Sequence, residues 1–187
     1  MTIDIIREIG MDTNFQATVF EDNSAEYACL SNKFETPITI DKQQFFSVEQ
    51  YMLYRQAIIF GDEEATTAIL ACKRTKTLAK IKIRKIAADA DACWCVERNI
   101  ALYKALCEKF KVGGHYTYLR KTMGEIIYFS DDMYLGATAP LDENNRFSRN
   151  ALQGDNMLGK TLTYIRKQRN QELCEQLLWC QTKKENE

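Results

Sequence analysis

Residues 47–62 read SVEQYMLYRQAIIFGD. Ser47 followed three residues later by Gln50 matches a capping box, so a helix is expected to start here. Gly61-Asp62 ends it, and Asp62 is placed to cap a second helix running through Cys72. At about 3.6 residues per turn, Glu49 and Gln56 share a face with Met52 and Leu53. Val48, Tyr51, Ile58 and Ile59 form the opposite stripe and are expected in a core. A glutamate in a first helical turn complements the helix dipole. This one also stands on a helix that is apolar on two sides, which fits a carboxylate turned into a cleft.

Upstream, FQATVF (Phe15–Phe20) and EYACLS (Glu26–Ser31) read as short strands around an Asp-Asn-Ser turn. Pro37 in ETPITID marks an edge or a strand start. Downstream, Thr75 to Ile86 is expected to be a basic helix, carrying Lys76, Lys80, Lys82, Arg84 and Lys85. The longest helix is expected from about Cys93 to Lys111. Its spacing predicts a buried stripe of Val96, Ile100, Tyr103, Cys107 and Phe110, with Trp94, Arg98, Ala101 and Ala105 on the other side. That second face fits tight helix packing or the lining of a cleft. A short helix near Tyr116–Lys121, a strand EIIYF at Glu125–Phe129 and a long polar loop follow. Met157 onward is expected to be helical, broken near Asn170.

With 187 residues, one domain is the natural expectation, and no repeat or linker interrupts it. Residues 1–24 read as an N-terminal extension with the first strand, 25–170 as the main domain, and 171–187 as a terminal helix and tail of the same unit. The expected fold class is a single compact α+β domain, predominantly helical with a few short strands. A net charge of −1 supplies no global attraction to nucleic acid or membrane, so any polyanion contact must be local. The basic run Lys73 to Lys85 is one such place, although a solvated helix face explains it as well. No apolar run approaches the roughly 18 residues a membrane span needs. The N-terminal MTIDIIREIGMD has acids in its apolar stretch and no basic start, unlike a signal peptide. Seven scattered cysteines suggest a reduced, cytoplasmic chain with buried thiols. Cys93-Trp94-Cys95 lacks the second pair that a zinc site needs. The single histidine, His115, lies in a turn-like stretch with no nucleophile elbow around it, and no phosphate-binding glycine fingerprint is present. Any chemistry must rest on carboxylates, amides, lysines and arginines.

Four polar signals stand at the ends of elements, where side chains converge on clefts. They are Leu30-Ser31-Asn32, Glu49, Asp131-Asp132, and Gly154-Asp155-Asn156 entering a helix. Singly, each is explained by turn or cap chemistry. Their order resembles the NADAR domain family. The matching segments are LSNKF, FFSVEQYMLYRQAIIFGD, the Trp94 helix ending in CEKF, DDMYLG and GDNMLGKTLTYIR, which together span Leu30 to Arg166.

The resemblance implies hydrolysis of an N-glycosidic bond at C1′ of a ribose. Relatives are associated with phosphorylated ribosylamino-pyrimidine intermediates of riboflavin synthesis and with ADP-ribose attached to guanine in nucleic acid. The implied partners are therefore a ribose-phosphate or ADP-ribose substrate, including ADP-ribosylated DNA or RNA. Cleavage builds positive charge on the ribose that a carboxylate stabilises, and a carboxylate also takes a proton from attacking water. Neither metal nor other cofactor is required. Glu49 is expected in the first role, with its pKa raised by burial. Asp132 aligns with the family's loop aspartate, and Asp131 stands beside it. For recognition, Asn32 and Asn156 offer donors and acceptors. The backbone from Gly154 to Gly159, opening a helix, suits a phosphate, and Lys160 and Arg55 add charge. Trp94 or Tyr134 could stack on the base, core packing being the other reading of Trp94. Phe34, Gln56 and Gly136 complete the expected binding set through their family segments.

The chain departs from its relatives in two places. Many carry a lysine where Gln56 stands, and some mechanisms proposed for the family use that amine to trap the opened ribose. Leu135 stands where a tryptophan often precedes the glycine. A second reading therefore remains, a catalytically impaired module that binds ADP-ribose or a related nucleotide. A third, a helical interaction protein, leaves the polar loop unexplained.

Overall fold

A computed structural model describes residues 4–6, 17–111, 114–144 and 146–184. In chain order the strands are β1 (Asp4–Ile6), β2 (Ala17–Phe20), β3 (Ile38–Ile40), β4 (Gln43–Phe45), β5 (Glu125–Tyr128) and β6 (Arg146–Ser148). The helices are α1 (Val48–Phe60), α2 (Glu63–Ala71), α3 (Thr75–Leu78), α4 (Ala90–Lys109), α5 (Tyr116–Lys121) and α6 (Met157–Lys184). About half of the chain is helical.

The strands form three separate pairs. β1 runs parallel to β6, β2 parallel to β5, and β3 and β4 make an antiparallel hairpin. Asp41 and Lys42, at φ of 50° and 67°, turn that hairpin in the left-handed region. The middle layer is α1 packed along α4, with β2–β5 and the first half of α6 closing the core from the side.

Local signals at α1 operate as the sequence predicts. Ser47 Oγ accepts from Gln50 N at 3.1 Å, and Gln50 Oε1 accepts from Phe46 N at 2.7 Å. Gly61 stops the helix at φ 75°, a left-handed conformation that disfavours a side chain. Asp62 caps α2 through Ala65 N at 3.1 Å.

Several expectations are corrected where tertiary contacts override local pattern. Glu26–Ser31 is a turn followed by a single 3-10 turn at Ala28–Leu30, not a strand; it folds back so that Cys29 and Leu30 enter the core. Of FQATVF, residues 17–20 form β2, while Phe15 and Gln16 lie outside the described residues. The basic helix is confined to Thr75–Leu78. Beyond it the backbone is drawn out along the end of α1: Arg84 N donates to Asp62 Oδ2 at 2.8 Å, and Ile86 N and Ala87 N both donate to Phe60 O. On α4 the expected faces are exchanged at the N-terminal end. Val96 and Ile100 are 67% and 55% exposed, whereas Ala101 and Ala105 are buried with Leu102 and Leu106. Small side chains on the inner face let α1 and α4 approach closely, so α4 turns them inward and leaves the bulkier stripe outside until Phe110 re-enters the core. On α1, Ile58 is likewise exposed. The longest described helix is α6, which runs unbroken through Asn170, whose Oδ1 accepts a lateral bond from Tyr116 Oη at 2.7 Å. Not all of the described thiols are buried: Cys93, Cys95 and Cys174 are exposed. Among the described residues no helix is long and apolar enough to cross a membrane.

Candidate active site

The start of α1 is fixed from three directions. Gln50, 2% exposed, bonds Phe46 N with its oxygen and gives its amide hydrogens to Ile69 O and Cys72 O at 2.7 and 3.2 Å. One residue earlier, Glu49 N donates to Asn32 O at 2.9 Å, which ties the Leu30-Ser31-Asn32 turn to the helix. Asn32 and Glu49 therefore face the same space.

That space is a cavity of about 200 Å³ where five segments meet. Glu49, Met52, Leu53 and Gln56 come from α1, and Asn32 and Lys33 from the turn. Trp94 and Arg98 come from α4, Tyr128 from β5, and Asp132, Tyr134 and Leu135 from the loop after it. Four buried side-chain polar atoms among the described residues lack a hydrogen-bond partner, and three belong to this lining: Asn32 Oδ1, Glu49 Oε2 and Arg98 Nε. Buried polar groups are almost always paired in folded chains. Three orphans around one cavity mark a place shaped for a polar ligand.

Burial raises the Glu49 carboxyl above its ordinary range; Lys33 pulls it down, while Asp22 and Asp132 push it further up. Lys33 in turn belongs to a fixed network beneath the cavity. Asp22 accepts from Lys33 Nζ at 2.7 Å, from Ser31 Oγ at 2.6 Å and from Tyr128 Oη at 2.6 Å. Burial would raise Asp22, but these bonds from Lys33, Ser31 and Tyr128 hold it below the usual carboxylate range. Burial and the bond to Asp22 push the Tyr128 phenol up to about 12. Behind the turn, Lys109 is 5% exposed and gives Nζ to Ser31 O at 2.6 Å; burial drives its pKa down to about 7.

Asp132 Oδ1 accepts from Tyr134 N and Leu135 N at 3.0 and 2.8 Å, so this carboxylate shapes its own loop as well as lining the cavity. Tyr134 hydroxyl donates to Asn99 Oδ1 at 2.9 Å, and the Arg98 guanidinium lies 3.8 Å over its ring.

Of the residues singled out in the sequence, Glu49, Asp132, Asn32, Gln56, Trp94 and Tyr134 meet at the cavity. Seven others lie off its lining, for identifiable reasons. Asp131 is exposed beyond it. Phe34 packs edge-on against His115 at 5.6 Å. Arg55 is held by Glu97 at 2.6 Å. Gly136 is wedged against Tyr128 O and Ser130, where a Cβ would come within 2.7 Å. Asn156, at φ 49°, bonds Tyr128 N and Ile126 O at 3.0 and 2.9 Å and so joins α6 to β5. Gly159 permits the same approach, since a Cβ there would sit 2.0 Å from Ile126 O. Lys160 is exposed on α6. The phosphate cradle expected between Gly154 and Gly159 is already filled: the amides of Asp155, Asn156, Met157 and Leu158 donate to the carbonyls of Met133, Gly136, Tyr134 and Leu135. Lys33, Arg98 and Tyr128 went unassigned to the site from sequence. Arg98 had a signal, standing four residues after Trp94 on one helical face, and Lys33 stands next to Asn32.

Residues 19–169, most of the chain, match the NADAR domain family. The chain belongs to the NADAR family. This family is generally N-glycosidase-like and in general implies a ribose-containing substrate. The fold is similar to the NMR structure of the E. coli protein YbiA, with a TM-score of 0.65 at 22% identity, covering 94% of this chain and 96% of that one. No curated protein matches the chain. Within this NADAR domain, the segments carrying the family pattern are those that converge on the cavity or, as with GDNMLG, hold the loop that lines it.

Proposed function

We propose that the protein hydrolyses the C1′–N bond of a ribose, removing ADP-ribose from guanine in nucleic acid or cleaving ribosylamino-pyrimidine phosphates. The observation that carries this reading is the Glu49 carboxylate, which lines the cavity half-buried beside Met52 and Leu53, with Oε2 buried and free of any hydrogen-bond partner. As C1′ loses its nitrogen, charge builds toward an oxocarbenium ion, and a fixed carboxylate stabilises it without reorganisation. Its raised pKa also makes it a stronger base toward the proton of the attacking water than an ordinary carboxylate. Asp132 is the second carboxylate of this reading, and Asn32 Oδ1 accepts from a ribose hydroxyl or base edge. Trp94 and Tyr134 form the aromatic walls. The cavity volume of about 200 Å³ is below the roughly 300–1,000 Å³ of clefts for drug-sized ligands, which supports one sugar inside with the rest of the substrate extending out.

Gln56 favours a second reading. It lines the cavity at the position where many relatives carry lysine. If a covalent amine is essential, the domain binds nucleotide without cleaving it. The deciding assay incubates wild type and Glu49→Gln with guanine-linked ADP-ribose on a short single strand and with a ribosylamino-pyrimidine phosphate, following released base by chromatography. Release that falls at least about 100-fold in Glu49→Gln supports hydrolysis through this carboxylate. No release by wild type, together with measurable ADP-ribose binding, establishes the binding module instead.

A further inference from the structure

The two cations lining the cavity are not equivalent. Lys33 is neutralised by Asp22, at 2.7 Å. Arg98 has no ion pair among the described residues, and its Nε is buried without an acceptor. Its guanidinium is instead stacked 3.8 Å over Tyr134, which is itself fixed by Asn99 and by the Asp132 turn. A cation–π contact with a ring face uses none of the N–H donors of a guanidinium as hydrogen bonds to an acceptor oxygen. Those donors form the planar fork that matches a phosphate or carboxylate, and burying a cationic donor without an acceptor is unfavourable until a ligand oxygen arrives. Elsewhere in the cavity the uncompensated charge is negative, at Glu49 and Asp132, and repels an anion. The helix start that could have held one has its amides bonded to residues 133–136.

We propose that Arg98, on its Tyr134 platform, is the anion anchor of this site. It takes the phosphoryl group carried by the ribose, so that the cavity selects a sugar phosphate over the same sugar without phosphate. The ligand is then oriented by charge, its phosphate at Arg98 and its developing positive carbon at Glu49. This inference rests on the N-glycosidase reading for the identity of the sugar, not for the anion.

The test is calorimetric titration of ribose 5-phosphate and of ribose into the full chain, as wild type and as Arg98→Met, with folding checked by thermal melting. Wild type is expected to bind the phosphate at least 10-fold more tightly, with a preference that weakens as salt rises. In Arg98→Met the two affinities should approach each other. Should that variant not fold, Arg98→Gln, which keeps polarity without the charge, replaces it. An undiminished preference in the folded variant, or none in wild type, overturns the proposal. Phosphate preference without hydrolysis of any substrate would sink the glycosidase reading alone; hydrolysis without phosphate preference would sink this one alone.

Discussion

Replacing Asn156 with alanine separates two roles that this residue could hold, one in binding substrate and one in holding the fold. Its amide bonds Tyr128 N and Ile126 O, both on residues no more than 2% exposed. The partners fix the orientation of the amide, because an N–H must donate and a carbonyl must accept. Truncation leaves both buried main-chain groups unpaired, at about 1–3 kcal/mol each. Alanine at φ 49° adds about 1 kcal/mol, since asparagine tolerates the left-handed region better. A loss of about 3–7 kcal/mol is therefore expected, which for a chain of this size lowers Tm by roughly 6–28 °C. Thermal melting with circular dichroism reads it directly. Asn156→Gly, which removes the backbone strain but not the lost bonds, should recover only about 1 kcal/mol of it. A Tm within 2 °C of wild type, or a raised KM on an unchanged Tm, would refute the structural role and return Asn156 to the substrate.

Two further predictions concern buried charge. Burial holds the Glu49 carboxyl above its ordinary value of 4.5, so its contribution to stability is complete below about pH 4.5 and is lost as pH rises through the elevated value. Glu49→Gln should consequently melt higher than wild type at pH 7–8 and lose that advantage near pH 4; a difference that does not change with pH would contradict the burial of this group. Burial also brings Lys109 down to about 7 from 10.5, so both states carry the charge below pH 7 and neither does above pH 10.5. Wild-type stability should gain a component rising between those limits that is absent from Lys109→Met, measured by urea titration across pH 6–10; equal slopes in the two proteins would show that the amine is solvated.

The family pattern reads across the linear chain because its segments are short and each carries its own local chemistry. Ser47, Gln50, Gly61 and Asp62 act within one helical turn, where cap geometry depends on neighbours in sequence and hardly on the fold. The inner face of α4 is different. Val96, Ile100 and Tyr103 recur at helical spacing as convincingly as Ala101 and Ala105 do, and periodicity alone does not say which stripe meets α1. Close approach of two helices favours the small residues, and that choice exists only once both helices are in place. Lys33 and Arg98 show the same dependence: each is one charge among 25 lysines and arginines until the fold neutralises one and strands the other in a cavity.

By itself, then, the sequence determined the helix boundaries around Glu49 and the family, and put Glu49 forward as a candidate, because these rest on residue identity and short-range spacing. Only the tertiary structure decided that Asn156 and Gly159 join α6 to β5, that the helix start near Gly154 is closed to phosphate, and that Arg98 faces the cavity unpaired. Hydrogen-bond satisfaction is a property of where the whole chain brings its donors and acceptors. No spacing along the sequence reports which of them finds a partner.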